Sequence, residues 1–476
     1  MRAWAYAERT MLRGALVSLA LVLLLGLCSA VYGLEAVYTA LEPLGLDQRA
    51  FRSLHTLFAA AWLVLGGLSV VFRWLGSQAS MTPGDRNRVG AALVLFAFSG
   101  AAALVTIPLG IGSGREYLGF HPALAAPMLT GWLLVAWTFY AHAARGLLRR
   151  PVYVLMWAVG FVFFTVTFLE QYLWLLPEVF ADPIVDRRLQ WKATGTLVGA
   201  ANLFVYGAAL YLGERLSGDR TLARSSKAFA LFGLGLLNSF VNFAHHTYHL
   251  PQSHVVKLVA FVVSMTEVLV LLSVLRSLVA GLPASCAATT LLKSSKGWTA
   301  AVVAGAVLLS VPPLNAVVHG TWLIAGHAMG GMIGICSMVV FAVVAVGLGE
   351  RGLLYRRILA VNVALALFVG WLHVVGLADG LARLNADPAL ISSFAYRPEW
   401  LRISLYPGLA LSGGLLAVTL TALVARWTRA AFAGRLSPWN PGPPHEDSPH
   451  RCSPGPPEQA ELPDPDPAAG RRVHPG

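Results

Sequence analysis

The stretch GTWLIAGHAMGGMIGICSMVVFAVVAVGL, residues 320–348, runs without one Asp, Glu, Lys or Arg. A helix of that length, rising 1.5 Å per residue, exceeds the roughly 30 Å hydrocarbon core of a bilayer, so the segment reads as a membrane span. Comparable apolar blocks recur along the chain at 12–34, 51–75, 89–111, 125–146, 152–177, 192–213, 228–248, 255–278, 298–318, 358–382 and 402–426, giving twelve spans in all. A helix satisfies its own backbone in lipid, so the blocks are helices. The fold class is an all-α membrane protein, a twelve-helix bundle over 1–436. Composition agrees: 57% of residues are apolar and 12% charged, about half the charge of a soluble chain, which excludes a soluble domain.

A net charge of +12 invites a nucleic-acid reading, and its distribution refutes it. Alternate loops are basic: Arg86 and Arg88; Arg145, Arg149 and Arg150; Arg215, Arg220, Arg224 and Lys227; Lys293 and Lys296; Arg351, Arg356 and Arg357; Arg426, Arg429 and Arg435. The intervening loops carry Glu35, Glu42, Asp47, Glu116, Glu178, Asp182 and Asp186. This is the positive-inside bias; it places both termini in the cytoplasm of a bacterial-type inner membrane. The first block resembles a signal peptide but is long for one and lacks a small-x-small site, so it reads as a retained anchor. Residues 437–476, with twelve prolines, read as a disordered cytoplasmic tail. Four scattered cysteines include no C-x-x-C-H for haem c, and no internal repeat stands out.

Ionisable residues inside spans are costly and default to function. In this orientation His55 lies early in a descending span, His245 and His246 end a rising one, His327 lies about 10 Å into a descending one and His373 lies in the outer half of a rising one. Five histidines from four helices thus share one depth near the outer face. Neutral imidazole is a common ligand for iron, copper and zinc, so a metal or haem layer is the economical explanation. Each has a bland alternative. His142, near the opposite end, reads as a hydrogen-bonded packing residue; His249 reads as ligand or surface, and His254 and His319 as interface residues.

Several local sequences resemble the haem-copper oxidase superfamily. They are Arg52-Ser-Leu-His55, Gly114-Arg-Glu-Tyr-Leu118, His245-His-Thr-Tyr248, Ser264-Met-Thr-Glu267, and His319-Gly-Thr with Gly326-His-Ala-Met329. Gly-Arg-Glu-Tyr-Leu and His-Gly-Thr resemble in particular the catalytic subunit of bacterial nitric oxide reductase. The resemblance runs from about residue 12 to 427 and implies two haems b and a non-haem metal, iron or copper. By it, His55 would be an axial ligand of a low-spin haem, His327 the proximal ligand of a high-spin haem, and His245 and His246 ligands of the non-haem metal. Glu267 would match the glutamate beside that centre, and Glu116 a glutamate that helps calcium bridge haem propionates.

Three departures stand out. Where the family has His-x-His on the tenth span, positions about 200° apart that serve two haems, the second position is Met329. Methionine either ligates the low-spin iron or packs there. The sixth span has no third metal histidine; Gln190, Lys192 and Thr194 occupy the neighbourhood. The oxidases' cross-linked tyrosine likewise has no counterpart on that span. Replacement ligands would be Glu267, Glu170, His249 or water. The expected activity is reduction of a small gas, nitric oxide to nitrous oxide or oxygen to water, with electrons from a membrane-anchored cytochrome c subunit or another donor. The rivals are a non-catalytic haem sensor of nitric oxide or oxygen and a transporter, and the latter leaves the histidine layer without a role. No nucleic-acid partner is expected.

Overall fold

Each expected span holds a helix, with differences at the ends and one internal break. The computed structural model describes residues 2–31, 39–40, 48–241, 253–283, 286–350, 354–384 and 399–436. The helices are α1 (Arg2–Val31), α2 (Gln48–Gln78), α3 (Pro83–Thr106), α4 (Pro122–Ala143), α5 (Val152–Gln171), α6 (Pro183–Ser217), α7 (Ser226–Val241), α8 (His254–Ala280), α9 (Ala287–Leu309), α10 (Trp322–Gly347), α11 (Tyr355–Leu384) and α12 (Tyr406–Phe432). Ten of them, all but α7 and α9, are long and apolar enough among the described residues to cross a membrane. The chain is a multi-pass membrane protein.

Two boundaries differ from the sequence reading for physical reasons. α1 begins at Arg2, ten residues before the expected span, because Glu8 forms an ion pair with Arg73 of α2 and both are buried in the bundle. Paired charge of this kind is tolerated inside a helix where an unpaired one is not. The expected span 298–318 is two helices. α9 starts at Ala287 and takes Lys293 and Lys296 into its early turns; it stops at Leu309, whose carbonyl accepts from Asn315 Nδ2 at 2.9 Å. Proline cannot donate to a continuing helix, and Pro312 instead opens the short helix Pro312–Val318.

Small residues let the central helices meet closely, the usual basis of association in lipid. A Cβ on Gly67 of α2 would lie 2.8 Å from Phe204 Cβ of α6, and one on Gly160 of α5 would lie 2.9 Å from the ring of the same residue. Gly66 of α2 admits Val340 of α10, and one turn away Trp62 Nε1 donates to Ser337 Oγ at 2.9 Å. Since 62 meets 337 and 66 meets 340, α2 and α10 run parallel. Val94, Phe98, Leu258, Leu411 and Val418 are exposed on the outer faces, as lipid contact requires.

α10 is not a uniform helix. Trp322–Met329 is α-helical, Gly330–Ser337 is π-helical, and Met338–Gly347 is α-helical again. Ser337 Oγ donates to the Met332 carbonyl five residues back, at 2.8 Å. Long π segments are rare and gather at functional sites.

Candidate functional site

His55 lies two turns inside the start of α2 at Gln48. Its Nδ1–H donates to the Val22 carbonyl of α1 at 2.9 Å, which assigns the tautomer and leaves the Nε2 lone pair available. The ring fits against α1 only because residue 26 is glycine: a Cβ there would lie 2.9 Å from both Cε1 and Nδ1 of His55. A ring oriented through one nitrogen, with the other free, is the usual arrangement of a metal-ligating histidine.

The Gly114-Arg-Glu-Tyr-Leu118 loop closes over this end of α2. Ser53 Oγ donates to the Arg115 carbonyl at 3.4 Å, Thr56 Oγ1 accepts from the Tyr117 amide at 3.1 Å, and Tyr172 OH donates to the Leu118 and Phe120 carbonyls at 3.2 and 3.1 Å. Arg115 pairs with Asp186 of α6 at 2.9 Å. Tyr117 takes a positive φ of 67°, and burial beside the Glu116 charge pushes its phenol up to about 12. The loop does not fit the expected calcium. Glu116 forms an ion pair with Arg52, which supplies the neutralising charge itself. At Gly119, a Cβ would meet the Arg115 carbonyl at 2.9 Å and Ser53 Oγ closer still. One paired carboxylate is a poor site for an ion that takes six to eight oxygens.

On α10, His327 and Met329 are both half-buried and point about 200° apart. The His327 ring makes no hydrogen bond among the described residues, and its Nδ1 lies 3.7 Å from where Gly305 of α9 would carry a Cβ. Trp322, two turns before Met329 on the same flank, donates to Tyr406 OH of α12 at 3.1 Å. His327 therefore addresses the α9 side of α10 and Met329 the α12 side. The α2–α10 register brings in His55. From the Trp62–Ser337 contact, His55 is seven residues back along α2 and Met329 eight residues back along α10, which sets them at one level on neighbouring parallel helices. An imidazole with a free Nε2, an unpartnered imidazole and a thioether are the donor types that hold haem iron, and the residues present fit two haems.

The other candidates divide. His373 of α11 packs on Gly326, where a Cβ would lie 2.8 Å from its Nδ1, and donates to its own Val369 carbonyl at 2.7 Å. His142 is structural: its Nε2 bonds Asp85 Oδ2 at 3.0 Å, and its ring stands edge-on to Trp4. His254 is exposed at the start of α8, and His319 ends the short helix before α10. His245, His246 and His249 lie outside the described residues.

Glu267 of α8 is buried, and it accepts from Asn238 Nδ2 of α7; Ser264 Oγ donates to Asn238 Oδ1 at 3.0 Å. Sequence reasoning singled out Glu267 and missed Asn238, although an amide in an apolar span is itself a signal. Towards the basic end, the space beside this trio is lined by Leu210, Leu231, Leu271, Leu275 and Leu278, with Tyr206 and Ser295 as its polar groups. Glu170 of α5 is likewise committed, to Lys192 and to Thr196 Oγ1 of α6, the latter at 2.9 Å. Thr194 Oγ1 donates to the Gln190 carbonyl at 2.9 Å. Among the described residues, no three of His, Cys, Asp or Glu converge on a point where one metal ion would sit.

A sequence model of the family described as cytochrome c and quinol oxidase polypeptide I matches residues 9–411. A solved structure of a heme-copper terminal oxidase dimer superposes with a TM-score of 0.69 at 18% identity, covering 91% of this chain and 84% of that one. At that identity the likeness is one of fold. No curated protein matches the sequence significantly.

Proposed function

The chain belongs to the cytochrome c and quinol oxidase polypeptide I family, and from that premise we propose that it is the catalytic subunit of a membrane haem oxidoreductase of the nitric oxide reductase type. His55 and Met329 would hold a low-spin haem b, and His327 a high-spin one. Haem supplies a gas-binding iron and one-electron redox steps when bound. The overall conversion joins two nitric oxide molecules, two electrons and two protons into nitrous oxide and water.

The observation that carries the nitric oxide side is Glu267. It is a buried carboxylate held by Asn238, with a leucine-lined space between it and the basic end of the bundle. A glutamate so placed can hold and deliver a proton at Oε while water is excluded around it. Asn238 fixes the carboxylate orientation, and Ser264 fixes Asn238. A pump would need a continuous polar path through the leucine-lined region, where Tyr206 and Ser295 are the polar lining groups. Electrons would enter at the histidine end from a cytochrome c subunit or a comparable donor. In this reading the histidine end faces outward from a bacterial-type inner membrane, and both termini are cytoplasmic.

The test is direct. Purified protein reduced with ascorbate and a phenazine mediator is given nitric oxide, and nitrous oxide is measured by gas chromatography beside oxygen uptake at an electrode. One nitrous oxide per two nitric oxide consumed is the expected result. Oxygen uptake without nitrous oxide would place the chain with the oxygen reductases, and binding without turnover of either gas would make it a sensor.

A further inference from the structure

We propose that Trp298 of α9, tied in place by Asn362 of α11, is the positioning residue for the α10 ligands: its indole holds the π segment at Gly334 and so sets the angle at which His327 and Met329 meet their irons. The proposal rests on the functional reading above, which makes those two residues haem ligands. α9 and α10 are antiparallel and meet along one stripe. The His327 ring lies against Gly305, a Cβ on Gly330 would lie 2.9 Å from Val302, and a Cβ on Gly334 would overlap the Trp298 indole. The stripe thus pairs 305 with 327, 302 with 330 and 298 with 334, one turn per step, so Trp298 stands on the face of α9 that His327 addresses. Glycine at 330 and 334 brings the α10 backbone close to that face, and at Gly334 the backbone rests on the indole itself.

The indole is held from a third helix. Trp298 Nε1 donates to Asn362 Oδ1 at 2.9 Å; Asn362 Nδ2 donates to the Ile358 carbonyl of its own helix at 2.8 Å and to Ser294 Oγ of α9 at 3.1 Å. An indole N–H can only donate, which assigns the orientation of the amide. One side chain of α11 thereby fixes two successive turns of α9. Between them Ser295 Oγ, fully buried, donates to the Ile335 carbonyl inside the π segment at 3.1 Å. With the Met332 carbonyl accepting from Ser337, two carbonyls of the widened turn are taken by hydroxyls. Polar groups of this kind inside apolar spans are costly unless paired, and once paired they specify one arrangement. Met329 and His327 lie five and seven residues from Gly334, so a shift of the backbone there reaches both ligands together.

Asn362→Leu in the full-length, haem-loaded protein is the test, because the level of Gly334 is roughly 10 Å along the helix from His327. Two signals are read on the reduced protein and in a redox titration: the iron–histidine stretch of the high-spin haem by resonance Raman, and the low-spin midpoint potential. Both should fall, since a ring held off its best angle binds iron more weakly and a loosened thioether raises the potential less. Trp298→Phe keeps a ring against Gly334 and gives up the tie to Asn362, so it should move both signals the same way. In the double variant the shifts should amount to less than the sum, because Asn362 acts through the indole. Shifts that add, a shift at one haem alone, or a lower melting midpoint with both signals unmoved each overturn the proposal. If Asn362→Leu does not fold, Trp298→Phe decides by the same two signals. An unaltered chain with no carbon-monoxide-reactive haem would overturn the functional reading itself, and with it this inference.

Discussion

Replacing Gly26 by alanine should loosen the low-spin haem without touching the high-spin one. The added Cβ would lie 2.9 Å from two atoms of the His55 ring, whereas ordinary contact begins near 3.4 Å. The ring must therefore retreat by roughly 0.5 Å, about the tolerance of a ligand constellation. That movement stretches the 2.9 Å bond from Nδ1 to Val22 out to the limit of hydrogen bonding. A hydrogen bond of this kind contributes about 0.5–1.5 kcal/mol net, so haem retention should weaken by roughly two- to twelvefold. Losing the partner of a ligating histidine by other routes costs about 10–100-fold, which sets the upper end for the bulkier Gly26→Val. The assay is haem per chain by pyridine haemochrome, with the reduced low-spin band and the carbon monoxide difference spectrum recorded on one sample. A Gly26→Ala protein with full low-spin haem and an unshifted band would refute the placement of His55 against α1.

Further expectations concern the remaining site residues. His327→Ala should abolish the carbon monoxide difference spectrum and leave the low-spin band, while Met329→His should lower the low-spin midpoint potential in a redox titration, as imidazole replaces thioether. Glu267→Gln keeps the shape but cannot carry the proton; turnover should fall by about 10²–10⁴-fold with both haem spectra intact, checked by nitrous oxide formation. Removing calcium with EGTA should change neither the spectra nor the thermal midpoint, because Arg52 already neutralises Glu116. Arg52→Ala should lower that midpoint by about a degree at most, because the pair is largely exposed, read from a melting curve.

The spans were legible because uninterrupted apolar sequence leaves no alternative to a helix in lipid. Their ends were less so, since Glu8 and Arg73 cancel each other only in three dimensions, and hydropathy counts each as a cost. The same limit applied at the site. His55, His327 and Met329 could be assigned to helices and depths from spacing alone, but sequence could not say that Gly26 and Val22 on another helix fix the His55 ring. Lys192 in a span also stood out by its charge, and sequence could not say that its partner is Glu170, 22 residues earlier on a different helix. Nor does spacing encode the local crowding at Gly119, where a Cβ would meet the Arg115 carbonyl at 2.9 Å.

The π segment in α10 separates two mechanical duties. From its last residue onward, Ser337 and Val340 lock α10 to Trp62 and Gly66 of α2; above it, His327 and Met329 address two different sides of the helix. A π turn carries a residue more than an α turn, so trimming one residue between Gly330 and Ser337 would swing the upper half by about 100° about its axis while leaving the lower contacts alone. The segment thus acts as a rotary joint in the sequence. The aim of both ligand positions can be reset by a single insertion or deletion, and the identity of the residue at 329 can drift without disturbing the packing that holds the helix in place.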